Sequence, residues 1–404
     1  MVVATAVLVL ISGALGVALS EVVYRVYLYW NASGRFVRRA PETVGVYSRP
    51  FWVFDERFGY TYPKGERIHV ASISKGRVTG CSYWSDFNEQ GNIGRTVGHY
   101  GSASLKILVF GDSFTATVHN GMTWPSLLQE RLMQRLGRTV HVVNFGRDGY
   151  GLLQMFDLAA AKIPEWKPDL AVIAFITNDL QRVRFWRTVT KVDGLWRYLV
   201  SPDPTANPDS LKSYDTGLYH PDATPEWCQS MKNTGRRDRV LGQVEHVFQQ
   251  GVNVGERRAA DLLALRHSYL AARLRHGDPF RGLPGVFTFP VIQYASYSED
   301  RRFMESLRAV EATGVPYILA HLAFYPELKE SREYITTYQE ATLLKSLAGV
   351  TGKPILETRK FVGPQPEDLQ DLIQSPDNYH PSPRGLLFYA DVVAHMLVGT
   401  GAVR

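Results

Sequence analysis

The stretch KILVFGDSFTATVHN, residues 106–120, passes from a run of apolar residues directly into Gly111, Asp112 and Ser113. A short apolar run that stops at a glycine and two polar residues is typical of a buried strand ending at the edge of a parallel sheet. Ser113 then has two interpretations. It is a nucleophile exposed at that edge, or it caps the helix that follows.

Similar apolar runs recur along the chain and alternate with segments of helical periodicity. Between the first two runs, WPSLLQERLMQRLG places its apolar residues on one helical face and ends in a glycine. Such alternation predicts a doubly wound α/β fold with a parallel sheet. The other four predicted strands are HVVNF (141–145), LAVIAFI (170–176), PYILAHLAF (316–324) and KPILE (353–357).

The composition excludes several classes of protein. The chain has 404 residues, of which 45% are hydrophobic and 21% charged, as expected for a globular protein. The formal net charge of +6 includes no lysine or arginine block, so we expect no nucleic-acid partner. Cys81 and Cys228 are too few for a disulfide framework or a four-thiolate metal site, but they leave a single bridge in an oxidising compartment open.

The N-terminus predicts attachment to a membrane. Residues Val2 to Leu19 carry no charge, and apolar and aromatic residues continue to Trp30. We interpret residues 1–30 as an uncleaved single-pass anchor, with a cleaved signal peptide ending at ALS (18–20) as the alternative. The arginines that follow the span favour a cytoplasmic domain, so an extracytoplasmic domain has to be argued from its chemistry. We predict the extracytoplasmic side for the catalytic domain and leave the orientation open.

The remaining chain divides into two predicted segments. Residues 31–103 are rich in Gly, Pro and Tyr and predict a β-rich or irregular accessory lead-in. Residues 104–400 contain the alternating pattern, with a helical insertion predicted at about 182–300. Within the insertion, RVRFWRTVTKVDGLWRYL includes Arg182 and is interpreted as a solvated helix or loop with aromatic anchors, in preference to a surface for acidic substrates or glycans.

Polar residues follow the predicted strands, where ligands of open parallel sheets bind. Ser113 follows the first strand, Gly149 the second and Asn178 the third, and Asp377 precedes His380 near the C-terminus. These are the parts of serine acyl-transfer chemistry: a nucleophile, a histidine base, a carboxylate that orients it, and amide donors for an oxyanion. Taken singly, each also fits a turn or a helix cap. Asp112 and Asp179 are expected to bind backbone amides and to stiffen the site.

Four motifs in this order, FGDSFT, NFGRDGYG, ITND and DNYHP, resemble blocks I, II, III and V of the SGNH/GDSL hydrolase superfamily. The preceding FWVFDERFGYTYP and FNEQG resemble the lead-in of its membrane-anchored bacterial subgroup. The resemblance implies a flavodoxin-like three-layer α/β/α fold, ester hydrolysis, and no metal or organic cofactor. It makes Ser113 the nucleophile, Asp377 and His380 the rest of the triad, and Ser113, Gly149 and Asn178 the oxyanion hole. Ile176 departs from the glycine that usually opens block III.

The sequence therefore predicts a membrane-anchored serine esterase that acts on an envelope glycan or a small acyl ester. Three alternatives stay open: an O-acyltransferase that uses the same triad, a lipid-directed esterase, and a non-catalytic binding or scaffold module.

Overall fold

A five-stranded parallel sheet lies at the centre of the molecule. The structure is a computed structural model. It describes residues 16–24, 44–74, 77–93, 100–119, 121–180, 182, 186–192, 195–201, 214–235, 238–243, 296–322, 337–362, 371–375 and 378–403.

Strands and helices alternate along most of the described chain. The strands are β1 (Val44–Tyr47), β2 (Val53–Asp55), β3 (Gly59–Thr61), β4 (Arg67–Ser74), β5 (Arg77–Asp86), β6 (Leu105–Gly111), β7 (Val140–Gly146), β8 (Leu170–Phe175), β9 (Trp186–Val192), β10 (Leu195–Ser201), β11 (Tyr214–Tyr219), β12 (Tyr317–His321), β13 (Ile355–Glu357), β14 (Ile373–Ser375) and β15 (Asn378–Pro381). The helices are α1 (Ser113–Ala116), α2 (Trp124–Leu136), α3 (Leu152–Trp166), α4 (Pro225–Thr234), α5 (Arg301–Glu311), α6 (Thr337–Thr351) and α7 (Pro383–Gly399).

The central sheet has the strand order β7-β6-β8-β12-β13, and each of its neighbouring pairs is parallel. All five predicted runs form its strands, so the predicted parallel α/β fold is confirmed. In order of appearance the strands follow the pattern 2-1-3-4-5, which is the flavodoxin-like arrangement. The order reverses at β6, and the carboxyl ends of β6 and β8 there form the edge where such folds bind ligands.

Helices cover both faces of this sheet because alternate strand residues point to opposite sides. On one face, Leu128 of α2 and Val393 of α7 pack with Val109 of β6. On the other face, Phe156 of α3 and Leu307 of α5 pack with residues such as Leu108. Both clusters are buried, which gives the three layers of an α/β/α fold.

Aromatic residues of the lead-in belong to the second of these clusters. Trp52, Tyr60, Tyr62 and Phe87 are at most 6% exposed and pack in one cluster with Phe110 of β6. The lead-in and the parallel sheet therefore bury a shared core.

A second, six-stranded sheet combines the lead-in with the insertion. Its order is β5-β4-β1-β11-β10-β9, and β1 pairs in parallel with β11 through Val46 and Leu218. A disulfide between Cys81 of β5 and Cys228 of α4 joins the same two segments across 147 residues. The single bridge left open by the sequence is thus present in the structure.

The predicted helical insertion needs correction between residues 186 and 219, which contain β9, β10 and β11. Segments such as WRTVTKV and LWRYLVS are rich in β-branched and aromatic residues, which favour a pleated strand. The solvated helix or loop predicted there is therefore wrong in its secondary structure. The part of the predicted helical insertion between residues 244 and 295 lies outside the described residues, so its helices stay a prediction.

Residues 16–24 form a helix whose side chains are largely exposed. In the described portion of the chain, no helix combines the length and the apolar character needed to cross a membrane. Most of the predicted anchor lies outside the described residues, so the anchor stays a prediction.

Candidate active site

Ser113 lies at the carboxyl end of β6, as the first residue of the short helix α1. The cap of this helix is Asp112, whose Oδ1 accepts a hydrogen bond from the Phe114 N–H at 2.9 Å. Ser113 is therefore not needed as the cap, and its side chain is partly exposed. Gly111 allows the tight turn, because a Cβ there would lie 2.1 Å from Oγ1 of Thr115.

The block II loop follows β7 and lies against block I. The Arg147 N–H donates to the Gly111 carbonyl at 2.9 Å, which connects the two loops. Gly149 is buried and has φ +77°, a left-handed conformation that glycine adopts without a Cβ penalty. Within the described residues, neither the Gly149 N–H nor the Ser113 N–H donates to a protein acceptor. Both amides have the free donor that an oxyanion site requires.

Block III forms a 3₁₀ turn, Thr177–Leu180, after β8. Oδ2 of Asp179 accepts the Ile176 N–H at 2.9 Å, so Asp179 and Asp112 both bind backbone amides as predicted. Ile176 is buried in the core, so this departure from the family motif is accommodated by packing. The Asn178 side chain is partly exposed, and it makes no hydrogen bond to the described part of the protein.

The block V strand β15 brings His380 to block I. The centroid of the His380 ring lies 5.5 Å from that of the Phe114 ring. Phe114 is the residue that follows Ser113. Nε2 of His119, in the loop after α1, donates to the Pro381 carbonyl at 2.8 Å and so holds the residue next to His380. Asp377, the predicted third member of the triad, lies outside the described residues.

A largely buried cation connects blocks I and III. Nη1 of Arg182 lies 2.7 Å from Oδ1 of Asp179 and 3.9 Å from Oδ2 of Asp112, and both carboxylates are fully buried. The Arg182 side chain is only 12% exposed, so its assignment to a solvated basic stretch is wrong. In the linear sequence Arg182 stands among other arginines, and only the fold places it beside Asp179 and Asp112.

Burial dominates the electrostatics of these groups. It raises the pKa of Asp112 to about 6, against the opposing effect of Arg182. Burial and the nearby charge of Asp112 raise the pKa of Asp179 well above its usual value. Burial, with a smaller contribution from the Arg182 charge, lowers the pKa of His380 to about 4. A neutral imidazole at neutral pH is the state that accepts a proton from a hydroxyl.

Metal-ligating atoms come close together at His69, Cys81 and Cys228, the one such group in the described regions. The two sulfurs are joined in the disulfide, so they offer no thiolate to a metal. The group lies in the second sheet, away from Ser113.

The fold and the site define a class: a parallel α/β protein with a serine, a histidine and free amide donors at the switch point of its sheet. Residues 107–201 match the family model of the GDSL-like lipase/acylhydrolases. Over these residues the chain is similar to that family, and the match supports the resemblance to the SGNH/GDSL hydrolases inferred from the motifs.

The comparison with solved structures matches hydrolases at low identity. A lipase/acylhydrolase from Enterococcus faecalis is 12% identical, and the match covers 73% of this chain and 96% of that one, with a TM-score of 0.35. A catalytic mutant of an acetylxylan esterase from Geobacillus stearothermophilus is 14% identical, and the match covers 72% of this chain and 93% of that one, with a TM-score of 0.35. No curated protein matches the chain.

Proposed function

We propose that the protein is a serine esterase that cleaves an O-acyl ester through an acyl-serine intermediate. The observation that carries the proposal is the meeting of blocks I and V: Ser113 begins α1, and the next residue, Phe114, packs on the ring of His380. The Gly149 N–H and the Asn178 amide, which donate to no acceptor within the described residues, supplement this pair. The substrate classes expected from the sequence, an acylated envelope glycan or a small acyl ester, belong to the same proposal.

In the proposed reaction, His380 takes the proton from Oγ of Ser113 as that oxygen attacks the ester carbonyl carbon. The carbonyl oxygen becomes an oxyanion, which accepts hydrogen bonds from the N–H groups of Ser113 and Gly149 and from the Asn178 amide. The imidazolium then gives its proton to the departing alcohol oxygen. Water repeats the sequence on the acyl-serine and releases the acid. Asp377 is assigned the role of orienting the imidazole.

The test combines covalent labelling with turnover. A fluorophosphonate probe should add one label to the wild-type protein by intact mass, and nitrophenyl acetate should be hydrolysed. Ser113→Ala should abolish labelling and reduce turnover by on the order of 10⁶-fold. Ser230→Ala is the matched control, because Ser230 is an exposed serine on helix α4, which the disulfide joins to the second sheet. Equal labelling or turnover in the two variants would contradict the proposal.

The proposal extends to the compartment. A disulfide persists in oxidising surroundings, so the bridge between Cys81 and Cys228 supports an extracytoplasmic domain. The uncharged run Val2 to Leu19 is proposed as its attachment to the membrane. Full-length protein should stay with membranes after a high-salt wash, and deletion of residues 1–30 should release a soluble enzyme. Wild-type protein recovered in the soluble fraction with Glu21 as its N-terminal residue would favour a cleaved signal peptide instead.

A further inference from the structure

The peptide group between Asp148 and Gly149 is held by a tyrosine from the lead-in. The Tyr60 hydroxyl, on β3, donates a hydrogen bond to the carbonyl oxygen of Asp148, across 88 residues of sequence. Tyr60 is fully buried. A second lead-in residue, Tyr62, accepts the Asp148 N–H on its hydroxyl at 3.0 Å, so both backbone polar groups of Asp148 are bound by tyrosines.

This contact controls the direction of the Gly149 N–H. A peptide unit is planar and trans, so its C=O and N–H bonds point in opposite directions. The carbonyl of Asp148 and the N–H of Gly149 belong to one such unit. A hydrogen bond that fixes the carbonyl oxygen therefore also fixes the direction of the Gly149 N–H. The same bond polarises the peptide and strengthens that N–H as a donor.

Tyr60 is itself rigidly placed, which is what a positioning role requires. The Tyr150 hydroxyl donates to the Tyr60 carbonyl at 2.6 Å, and the two rings meet edge to face at 5.1 Å. Arg147, at the start of the loop, donates to the Gly91 carbonyl at 3.0 Å and to Oδ1 of Asn92 at 2.8 Å. The lead-in thus contacts the block II loop on both sides of Asp148.

We propose that Tyr60 is a positioning residue for ester hydrolysis, which aims the Gly149 N–H at the developing oxyanion through the shared peptide plane. This inference rests on the proposed function. It means that the lead-in positions one donor of the oxyanion site through its contact with the Asp148 backbone.

The test is Tyr60→Phe, with Tyr317→Phe as the matched control. Tyr317 is also buried, but it begins β12 at the opposite end of the sheet from the site, and its hydroxyl has no hydrogen-bond partner in the described structure. Three quantities are measured on each variant: kcat and KM with nitrophenyl acetate, the affinity of a trifluoromethyl ketone whose adduct forms an oxyanion, and the melting temperature.

We expect Tyr60→Phe to lower kcat by roughly 10- to 100-fold, less than the loss of a whole oxyanion donor, while KM moves by less than about threefold. The affinity of the ketone should fall by a similar factor, since its adduct needs the same donor. A role confined to packing would lower the melting temperature and leave the kcat of the folded protein and the affinity of the ketone unchanged. Tyr317→Phe should behave as wild type in kcat and ketone affinity.

Two results would overturn the inference alone: an active wild type whose Tyr60→Phe kinetics equal those of Tyr317→Phe, or a loss of kcat with unchanged ketone affinity. A wild type that neither hydrolyses the ester nor takes the label on Ser113 would overturn the proposed function and this inference with it. Should Tyr60→Phe fail to fold, Tyr150→Phe takes its place, because it loosens Tyr60 and keeps the Tyr60 hydroxyl. Tyr150→Phe should then lower kcat by a smaller factor, again with little change in KM. Kinetics equal to those of Tyr317→Phe would overturn the inference.

Discussion

Replacing Arg182 with glutamine should destabilise the protein by an amount that depends on pH. Arg182 lies close to two fully buried carboxylates, at 2.7 Å from Asp179 and 3.9 Å from Asp112. Coulomb energy scales inversely with distance, so its attraction to Asp179 is greater by about 1.4-fold. Removing one partner of a buried ion pair leaves an uncompensated charge and costs about 3–5 kcal/mol. We expect that loss in Arg182→Gln at pH 8.

Lowering the pH should reduce the loss of unfolding free energy in Arg182→Gln. Burial raises the pKa of Asp112 to about 6 and that of Asp179 well above its usual value in the wild type. Without the guanidinium both pKa values rise further, so the folded variant binds more protons than the folded wild type. Its stability relative to wild type therefore falls as pH rises through this range and recovers as the carboxyl groups become protonated toward pH 5.

The assay is urea unfolding of both proteins at pH 5 and pH 8. Arg131→Gln is the matched control, because Arg131 pairs with Asp391 at 2.6 Å but the side chains are 30% and 46% exposed. Exposed pairs contribute about 0–1 kcal/mol, so the control should change little at either pH. A loss in Arg182→Gln no larger than in Arg131→Gln at pH 8, or an equal loss at both pH values, would refute the reasoning.

Three further predictions concern the donor, the base and the disulfide. Asn178→Ala should lower kcat by roughly 10²–10³-fold with little change in melting temperature, and a destabilised variant that keeps its kcat would instead make Asn178 structural. The acidic limb of kcat/KM should lie near pH 4, because His380 must be neutral to accept a proton and its pKa is lowered to about 4; a limb at the ordinary histidine value contradicts this. Replacing Cys81 and Cys228 together by alanine should lower the free energy of unfolding by up to about 5 kcal/mol, the loop entropy for a separation of 147 residues, and urea unfolding that matches the wild type would count against the bridge.

The parallel sheet and the serine motif were predictable because both are local in sequence. Each strand of the sheet is a continuous apolar run, and Asp112, Ser113 and Gly111 follow one of them directly. The block order then predicted which loops share an edge. Asp377 stays a prediction, since it lies outside the described residues.

Other parts of the site depend on contacts that no local pattern records. In the sequence Arg182 is one charge in a basic stretch, and nothing there records its close approach to Gly151, where a Cβ would lie 2.4 Å from Cβ of Arg182. Tyr60 is one aromatic in a tyrosine-rich segment, 88 residues from the carbonyl that it binds. Strands β9 and β10 were missed because their basic and aromatic residues obscured the alternation that indicates a strand, and β11 was missed because its YDTGLY contains an aspartate and a glycine, which are rare in strands.

The mixed sheet also imposes an order on folding. Strand β1 lies between β4 and β11, and its partner residues Val46 and Leu218 are far apart in the chain. An emerging polypeptide therefore exposes one open edge of β1 until more than a third of the chain has followed it. Pairings of such high contact order form slowly, and an unpaired edge is prone to aggregate. We therefore expect refolding to be slow. Until β11 pairs with β1, the N-terminal strands should need a chaperone or a low protein concentration to avoid aggregation.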